Sequence, residues 1–257
     1  MIEVYILAVV LGLCIGSFLN VVIYRLPNNL SLSKPSSHCT NCNYSLKWYD
    51  NIPVLSYIML GGKCRKCKTV ISPRYILVEI FTALMYALCV MLFWEKSIVY
   101  AITAMLLISV LICVFYIDLE HKYIPDRFQL IILVLGIVAI FFDSYTVWYD
   151  HIIGMLAGGL VFLAIYFLAI AVYKQEGLGF GDVKLAFVVG LFLGWQRFIL
   201  AMLIASLVAC VILVPIKYIK KTEDRHEFPF APFITFGVLI ALLFGAEILT
   251  WYVALLV

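Results

Sequence analysis

Two aspartates stand at the ends of apolar stretches, in surroundings that suit acid–base chemistry. Asp118 ends an apolar run in the segment VFYIDLEHKYIPD. Asp182 follows GLGFG and begins another apolar run. Gly177, Gly179 and Gly181 precede Asp182, and glycines let an extended backbone approach closely. Two carboxylates held together can share one proton, so that one activates a water while the other protonates a carbonyl. We therefore expect a catalytic pair of Asp118 and Asp182, supported by Gly179 and Gly181.

Each aspartate also has an ordinary structural explanation. Asp182 follows glycine and precedes an apolar run, which is typical of a helix N-cap. Asp118 could be an interfacial charge that reaches the water of the lipid headgroups. Asp126 follows Pro125 and is typical of a cap or turn that opens the next helix, and it is the reserve candidate for the first carboxylate. The pattern alone leaves these alternatives open.

Four cysteines lie in a polar, loop-rich segment near the N-terminus. Cys39-x-x-Cys42 and Cys64-x-x-Cys67 are separated by 21 residues, close to the spacing of a four-thiolate zinc site. A redox or disulfide role is the alternative, and a reducing cytoplasm disfavours it. We expect a structural zinc ion that gives a small insertion its fold. The remaining cysteines lie in apolar stretches, where small buried side chains are the simpler interpretation.

The composition indicates that most of this chain lies in lipid. Apolar residues make up 65% of the 257 residues and charged residues only 13%, whereas soluble domains are about half apolar and a quarter charged. A water-soluble core of this size could not cover so much apolar surface. The net charge of +3 does not indicate nucleic acid as a partner. We predict an all-α polytopic membrane protein, with the lipid bilayer as its main surroundings.

About eight transmembrane helices, with one small zinc-ribbon-like insertion, can be placed along the chain. The predicted spans are residues 3–24, 75–94, 98–117, 127–142, 151–173, 183–195, 198–216 and 229–250. The sixth is short, and a helix lying on the membrane surface is its alternative. We divide the chain into a first span at 1–26, a cysteine-rich insertion at 27–74 and a transmembrane core at 75–257.

The basic residues predict the orientation of these spans. Of the 18 lysines and arginines, 16 fall in four loops on one side if the N-terminus is outside, and positive loops are usually cytoplasmic. The loops are 25–74, 118–127, 174–184 and 217–225. The cysteine insertion, Asp118 and Asp182 would then all lie at the cytoplasmic face.

Other charged residues near this face are candidates for supporting roles. Glu79 lies about one turn inside the second span, where a buried carboxylate needs polar partners. Lys184 could extend to the membrane interface or could tune Asp182. Asp143, Asp150 and Glu247 map to the opposite face, which makes them poor partners for Asp182.

In combination, these motifs resemble a known family from one end of the chain to the other. The sequence is similar to the bacterial type IV prepilin peptidases (prepilin leader peptidase/N-methyltransferases), which belong to the GxGD intramembrane aspartyl proteases. The matching segments are IGSFLNVVIYRLP at 15–27, the double C-x-x-C insertion, ISPRYILVE at 71–79, DLEHKYIPD at 118–126 and GLGFGDVKL at 177–185.

The resemblance implies a reaction and a location. Such enzymes cut the short basic leader from prepilin or pseudopilin substrates at the cytoplasmic side of the bacterial inner membrane. The cut follows a glycine and precedes the apolar helix of the substrate. The catalytic aspartates of the family map onto Asp118 and Asp182. Acidic residues such as Glu79, Glu120 and Glu176 are candidate partners for the basic leader.

The resemblance also implies a second activity. Many members methylate the new N-terminal amine with S-adenosylmethionine, and the N-terminal region and the cysteine loop are associated with that step. Gly16, Ser17, Asn20 and Arg25 match the relevant segment and are candidates for methyl transfer. Close helix packing is the alternative for the first three, and a charge that anchors the helix is the alternative for Arg25.

Two other classes of function remain to be weighed against a protease. A proton-coupled transporter would place its carboxylates near the middle of the membrane and would often contain repeated halves. A noncatalytic zinc-bearing scaffold would tolerate replacement of Asp118 and Asp182.

Overall fold

The computed structural model describes residues 1–174, 179–220 and 229–256, and helices dominate them. The helices are α1 Ile2–Arg25, α2 Leu55–Met59, α3 Arg74–Phe93, α4 Ile98–His121, α5 Asp126–Phe142, α6 Trp148–Tyr173, α7 Phe180–Leu193, α8 Trp195–Lys220 and α9 Ala231–Leu256, with a 3₁₀ turn at Trp48–Asn51. Within these ranges the only β-type pairing consists of two isolated bridges in the cysteine segment. The all-α prediction is confirmed.

Six of the described helices are long and apolar enough to cross a membrane, namely α1, α3, α4, α6, α8 and α9, which confirms the polytopic prediction. α5 has 17 residues and α7 has 14. A 14-residue helix is about 21 Å long, which is shorter than a hydrocarbon core of about 30 Å. The eight-span topology therefore stays a prediction at these two helices.

The chain divides into two compact units, residues 1–92 and 93–257. In the first unit, glycines on α1 allow a close crossing with α3. A Cβ atom on Gly12 would lie 2.5 Å from the Cα atom of Ala83, and one on Gly16 would lie 2.7 Å from that of Glu79. Both distances are too short for any other residue, so Gly16 has a packing role. The predicted domain boundaries at 26 and 74 stay predictions.

In the second unit, α7 lies among four other helices and packs against α5, α6, α8 and α9. Gly190 of α7 meets Gly154 of α6 so closely that a Cβ atom on Gly190 would lie 2.2 Å from the Gly154 carbonyl oxygen. Gly194 ends the helix with a φ of 77°, a backbone conformation that suits glycine. These glycines let a short apolar helix occupy the middle of the unit.

A buried polar network holds the C-terminal end of α7. Nε of Arg197 donates to the carbonyl oxygen of Leu193 at 2.9 Å, and Nδ1 of His151 lies 2.9 Å from that of Leu191. The guanidinium of Arg197 also pairs with Asp143 and donates to the hydroxyl of Tyr100 at 3.0 Å. Because the last carbonyls of a helix lack partners within it, this network satisfies them and fixes that end of α7.

Candidate functional site

Asp118 and Asp182 are both buried in the second unit. Asp118 is 6% exposed and Asp182 is 7% exposed. α4 continues to His121, one turn beyond Asp118, and ends where Lys122 adopts a left-handed conformation. Asp182 lies in the first turn of α7, and its carboxyl interacts electrostatically with that of Asp118. The two aspartates that the sequence singles out are thus near enough for their charges to interact, and their catalytic role stays a prediction.

Each carboxyl accepts a hydrogen bond from the backbone of a described residue. The N–H of Ala231, the first residue of α9, donates to Asp118, and the N–H of Gly179 donates to Asp182. Within the described part of the chain, Oδ2 of Asp118 and Oδ1 of Asp182 are buried without a hydrogen-bond partner. Buried polar atoms normally have partners. Each open oxygen can therefore carry a proton or accept a hydrogen bond.

Gly179 and Gly181 differ in what surrounds them. A Cβ atom on Gly179 would lie 3.4 Å from Oδ2 of Asp182, and one on Gly181 would lie 3.5 Å from the side chain of Ile124. Both are ordinary contacts, so the fold itself leaves room for a small side chain at either position. The predicted close approach of a substrate backbone stays a prediction. Gly177 and Glu176 lie outside the described residues.

Gln129 is a site residue that the sequence analysis missed. It is 5% exposed on α5, and its Nε2 donates to the carbonyl oxygen of Gly181 at 3.2 Å. This bond holds the segment before Asp182 against α5. A single amide within an otherwise apolar stretch was the available signal, since a buried polar side chain in a membrane helix needs a partner.

Asp126, the reserve candidate for the first carboxylate, forms an ion pair with Lys184. Nζ of Lys184 donates to Oδ1 of Asp126 at 2.7 Å, and their side chains are 40% and 76% exposed. Asp126 therefore lies in a far more solvated setting than Asp118. This difference favours Asp118 as the first carboxylate and assigns Asp126 as the partner of Lys184.

The four cysteines of the insertion form one cluster. All four sulfurs lie within 4.8 Å of one another. The Cys39–Cys67 and Cys42–Cys64 sulfur pairs are 3.8 and 3.9 Å apart. Zn–S bonds of about 2.3 Å in a tetrahedron place sulfurs about 3.8 Å apart, so the cluster fits a tetrahedral metal ion.

The two cysteine arms share one backbone arrangement. The N–H of Cys39 donates to Tyr44 O, and the N–H of Cys64 donates to Thr69 O, both at 2.9 Å. The residue after each second cysteine, Asn43 or Lys68, has a positive φ. Each arm also closes with an antiparallel bridge. Two similar turns thus present two sulfurs each to a common point.

Polar contacts stabilise this cluster from both sides. Hydrogen bonds with the hydroxyl and backbone of Thr69 lower the pKa of the Cys67 thiol to about 5, which favours the thiolate that binds metal. A backbone hydrogen bond with Tyr44 lowers the pKa of the Cys42 thiol, but burial and the neighbouring thiols outweigh it and raise that pKa to about 11. Nε of Arg65 donates to the buried carboxylate of Asp50 at 2.9 Å. This ion pair ties the second arm to the 3₁₀ turn. Asp50 is a second residue that the sequence analysis missed.

A cavity of about 960 Å³ opens in the first unit. Ser17, Asn20, Arg25 and Glu79 line it, whereas Gly16 packs against α3. The guanidinium of Arg25 donates to three loop carbonyls, those of Ser31, Leu32 and Pro35. Arg25 therefore fastens the start of the insertion to α1. Ser17, Asn20, Arg74 and Glu79 are among the polar side chains on the helix side of the cavity.

Comparisons with known proteins agree with this division of the chain. The bacterial peptidase A24 N-terminal domain matches residues 10–93, and the type IV leader peptidase family matches residues 105–214. A prepilin leader peptidase/N-methyltransferase of Pseudomonas aeruginosa is 34% identical, over 95% of this chain and 91% of its own.

Two further relatives have similar coverage. The Aeromonas salmonicida protein of the same name is also 34% identical, over 95% of this chain and 91% of its own. An Escherichia coli type 4 prepilin-like proteins leader peptide-processing enzyme is 36% identical, over 90% and 91%. No solved structure matches the chain.

Proposed function

The chain belongs to the type IV leader peptidase family, and from that premise we propose that Asp118 and Asp182 cut the leader from prepilin-like substrates. One observation carries this assignment. Two buried carboxyls from different helices interact electrostatically, and each keeps one oxygen without a partner among the described residues. Aspartic proteases hydrolyse peptides with two neighbouring carboxyls that share one proton.

The chemistry follows from one proton shared by two carboxyls. The ionised aspartate takes a proton from a water, whose oxygen attacks the scissile carbonyl carbon. The protonated aspartate gives its proton to the carbonyl oxygen. The carbon–nitrogen bond then breaks, and the leaving amine takes a proton. The N–H groups of Ala231 and Gly179 hold the carboxyls in place.

The charge distribution supports a cytoplasmic site. The predicted eight-span topology puts 16 of the 18 lysines and arginines on one side, which would be the cytoplasmic side of the bacterial inner membrane. Asp118 near the end of α4 and Asp182 at the start of α7 would lie at that face. A substrate with an apolar helix would place the bond that precedes this helix at the same depth.

We assign zinc to the cysteine cluster and methyl transfer to the first unit. Cys39, Cys42, Cys64 and Cys67 would hold the ion in a closed four-thiolate site, which is typical of structural zinc. S-adenosylmethionine would supply an activated methyl group for the new N-terminal amine. The cavity beside Ser17, Asn20 and Glu79 is large enough for such a ligand, since ligand pockets are typically about 300–1,000 Å³. The names of the relatives support this second activity.

The direct test uses purified protein in detergent with a prepilin-like substrate. Asp118→Asn and Asp182→Asn should each lower the rate of leader cleavage by about 10²–10⁴-fold, the range for loss of a general acid or base. Asp126→Asn is the matched control, since that carboxylate is exposed and paired with Lys184. Cleavage at the wild-type rate by either buried-aspartate variant would exclude the pair.

A further inference from the structure

The cavity of the first unit has a wall of hydrogen-bond acceptors where α1 and α3 cross. Asn20 and Glu79 both line it, and they are 2% and 8% exposed. Arg25, Arg65 and Arg74 also line the cavity, but Arg25 is bonded to loop carbonyls and Arg65 is paired with Asp50. Both belong to the unit of residues 1–92. Buried polar groups at a cavity wall select what can bind there, because an unpaired buried acceptor is costly.

Asn20 contributes an acceptor that nothing else in the described residues uses. Its Nδ2 donates to the carbonyl oxygens of Gly16 at 3.2 Å and Tyr75 at 3.1 Å. These two bonds orient the amide, so its nitrogen and oxygen are not interchangeable. The oxygen, Oδ1, is buried and has no hydrogen-bond partner among the described residues. A ligand group that fills this gap must donate a hydrogen bond.

Glu79 contributes a carboxylate that is held in place but not saturated. Its Oε2 accepts from the N–H of Val54 at 2.8 Å, and the hydroxyl of Ser17 is a second donor. A carboxylate has about four acceptor positions, so about two have no donor among the described residues. Val54 has a φ of 62°, which is unusual for a β-branched residue. The chain thus maintains a strained backbone at the point where it contacts Glu79.

The ligand chemistry follows from these groups. An anionic carboxylate and a neutral amide oxygen together favour a cation that carries several N–H donors. A primary ammonium has three such donors and one positive charge. We propose that Glu79 and Asn20 bind the α-ammonium group of an amino acid moiety in this cavity. The proposal rests on the methyl transfer proposed above and names residues for its ligand.

Two molecules of that reaction carry an α-ammonium group, namely the methyl donor and the newly exposed N-terminus of the substrate. A binding experiment on the full-length protein in detergent distinguishes them. The probes are S-adenosylhomocysteine, and 5′-methylthioadenosine, which lacks the amino acid moiety. A second pair of probes is a peptide of the mature substrate N-terminus with a free amine and the same peptide N-acetylated.

Glu79→Gln keeps the shape of the side chain and an oxygen for the N–H of Val54, but it removes the charge. Asn20→Leu removes the unpaired acceptor. Each substitution should lower the affinity for one of the amine-bearing probes by about 10-fold or more, as expected for loss of a hydrogen bond to a charged group. The matched probe without the free amine should bind as it does to wild type. Loss with S-adenosylhomocysteine identifies the donor, and loss with the free peptide identifies the substrate.

Controls separate a lost contact from a lost fold. Glu3→Gln removes an exposed carboxylate from the same unit and should bind every probe like wild type. Both cavity variants should keep the thermal unfolding profile of the wild type, and Glu79→Gln stands as the test if Asn20→Leu does not fold.

Two results would overturn the proposed ammonium site, and only one of them would also exclude methyl transfer. Unchanged affinity of the variants for both amine-bearing probes would exclude this ammonium site and leave methyl transfer standing. Absence of binding by wild type to both amine-bearing probes would exclude the site together with methyl transfer. Leader cleavage would be unaffected by either result, because it has its own assay.

Discussion

Arg197 and Asp143 form an ion pair at the end of α7 remote from Asp182, and both side chains are closed off from solvent. The same guanidinium donates to the last residue of α7, Leu193. One arginine thus neutralises a buried carboxylate and fixes the end of the helix that carries a proposed catalytic residue. This anchor fixes the C-terminal end of α7, and a rigid helix passes that constraint on to Asp182 in its first turn.

Replacing Arg197 should therefore destabilise the second unit. Arg197→Leu leaves Asp143 charged and buried, and loss of one partner of a buried pair costs about 3–5 kcal/mol. Arg197→Lys keeps the charge but loses part of the hydrogen-bonding geometry. The free energy of unfolding should therefore fall by less than in Arg197→Leu. Thermal unfolding in detergent measures both, with exposed Arg127→Leu as the control. Equal stability of Arg197→Leu and wild type would contradict the role assigned to this pair.

The interaction between Asp118 and Asp182 predicts a bell-shaped pH dependence of leader cleavage. The reaction needs one protonated and one ionised carboxyl, so the rate should fall at low pH, where both are protonated, and at high pH, where both are ionised. Initial rates over an acidic to mildly alkaline range give the profile. Asp126→Asn should leave its shape unchanged. A cleavage rate that does not fall at either low or high pH would contradict a shared proton.

The pair of Lys184 and Asp126 should matter little for stability. Both side chains are substantially exposed, and exposed ion pairs contribute about 0–1 kcal/mol. Lys184→Met, Asp126→Asn and the double variant form a cycle that isolates the coupling. We expect coupling within that range and cleavage rates within a few-fold of wild type. A large loss of cleavage in Lys184→Met alone would instead support a direct effect on Asp182.

Two glycines of α7 should respond differently to alanine. Gly190→Ala would place a methyl group 2.2 Å from the Gly154 carbonyl oxygen, and such overpacking costs about 1–3 kcal/mol. Gly181→Ala meets Ile124 at 3.5 Å, so stability should change little. Thermal unfolding distinguishes them. If Gly181→Ala keeps its stability but loses cleavage, the substrate backbone needs the space that this glycine leaves.

The cysteine cluster predicts about one bound zinc ion per chain, because four thiolates complete a structural site. Cys39→Ser and Cys64→Ser should each lower the metal content. Each should also destabilise the insertion, because the bound metal would join its two cysteine arms. Cys14→Ser, an exposed free cysteine, should keep the metal. Metal analysis of purified protein measures this. Full zinc content after either cluster substitution would exclude the site.

The amino-acid sequence by itself determined the parts of this protein that depend on composition and local pattern. The long apolar runs predict the membrane helices, because lipid requires about 20 apolar residues per crossing. The paired cysteines predict their cluster, because a two-residue gap lets one turn present both sulfurs. The glycines before Asp182 identified that residue, and the end of an apolar run identified Asp118.

Only the tertiary structure decided which of these groups meet. Asp118 and Asp182 are 64 positions apart in the chain, and helix ends at one membrane depth can be far apart laterally. Packing of α7 among four helices sets that distance, and no local pattern encodes it. For the same reason, the pairing of Lys184 with Asp126 and the open acceptor of Asn20 became visible only once the helices were assembled.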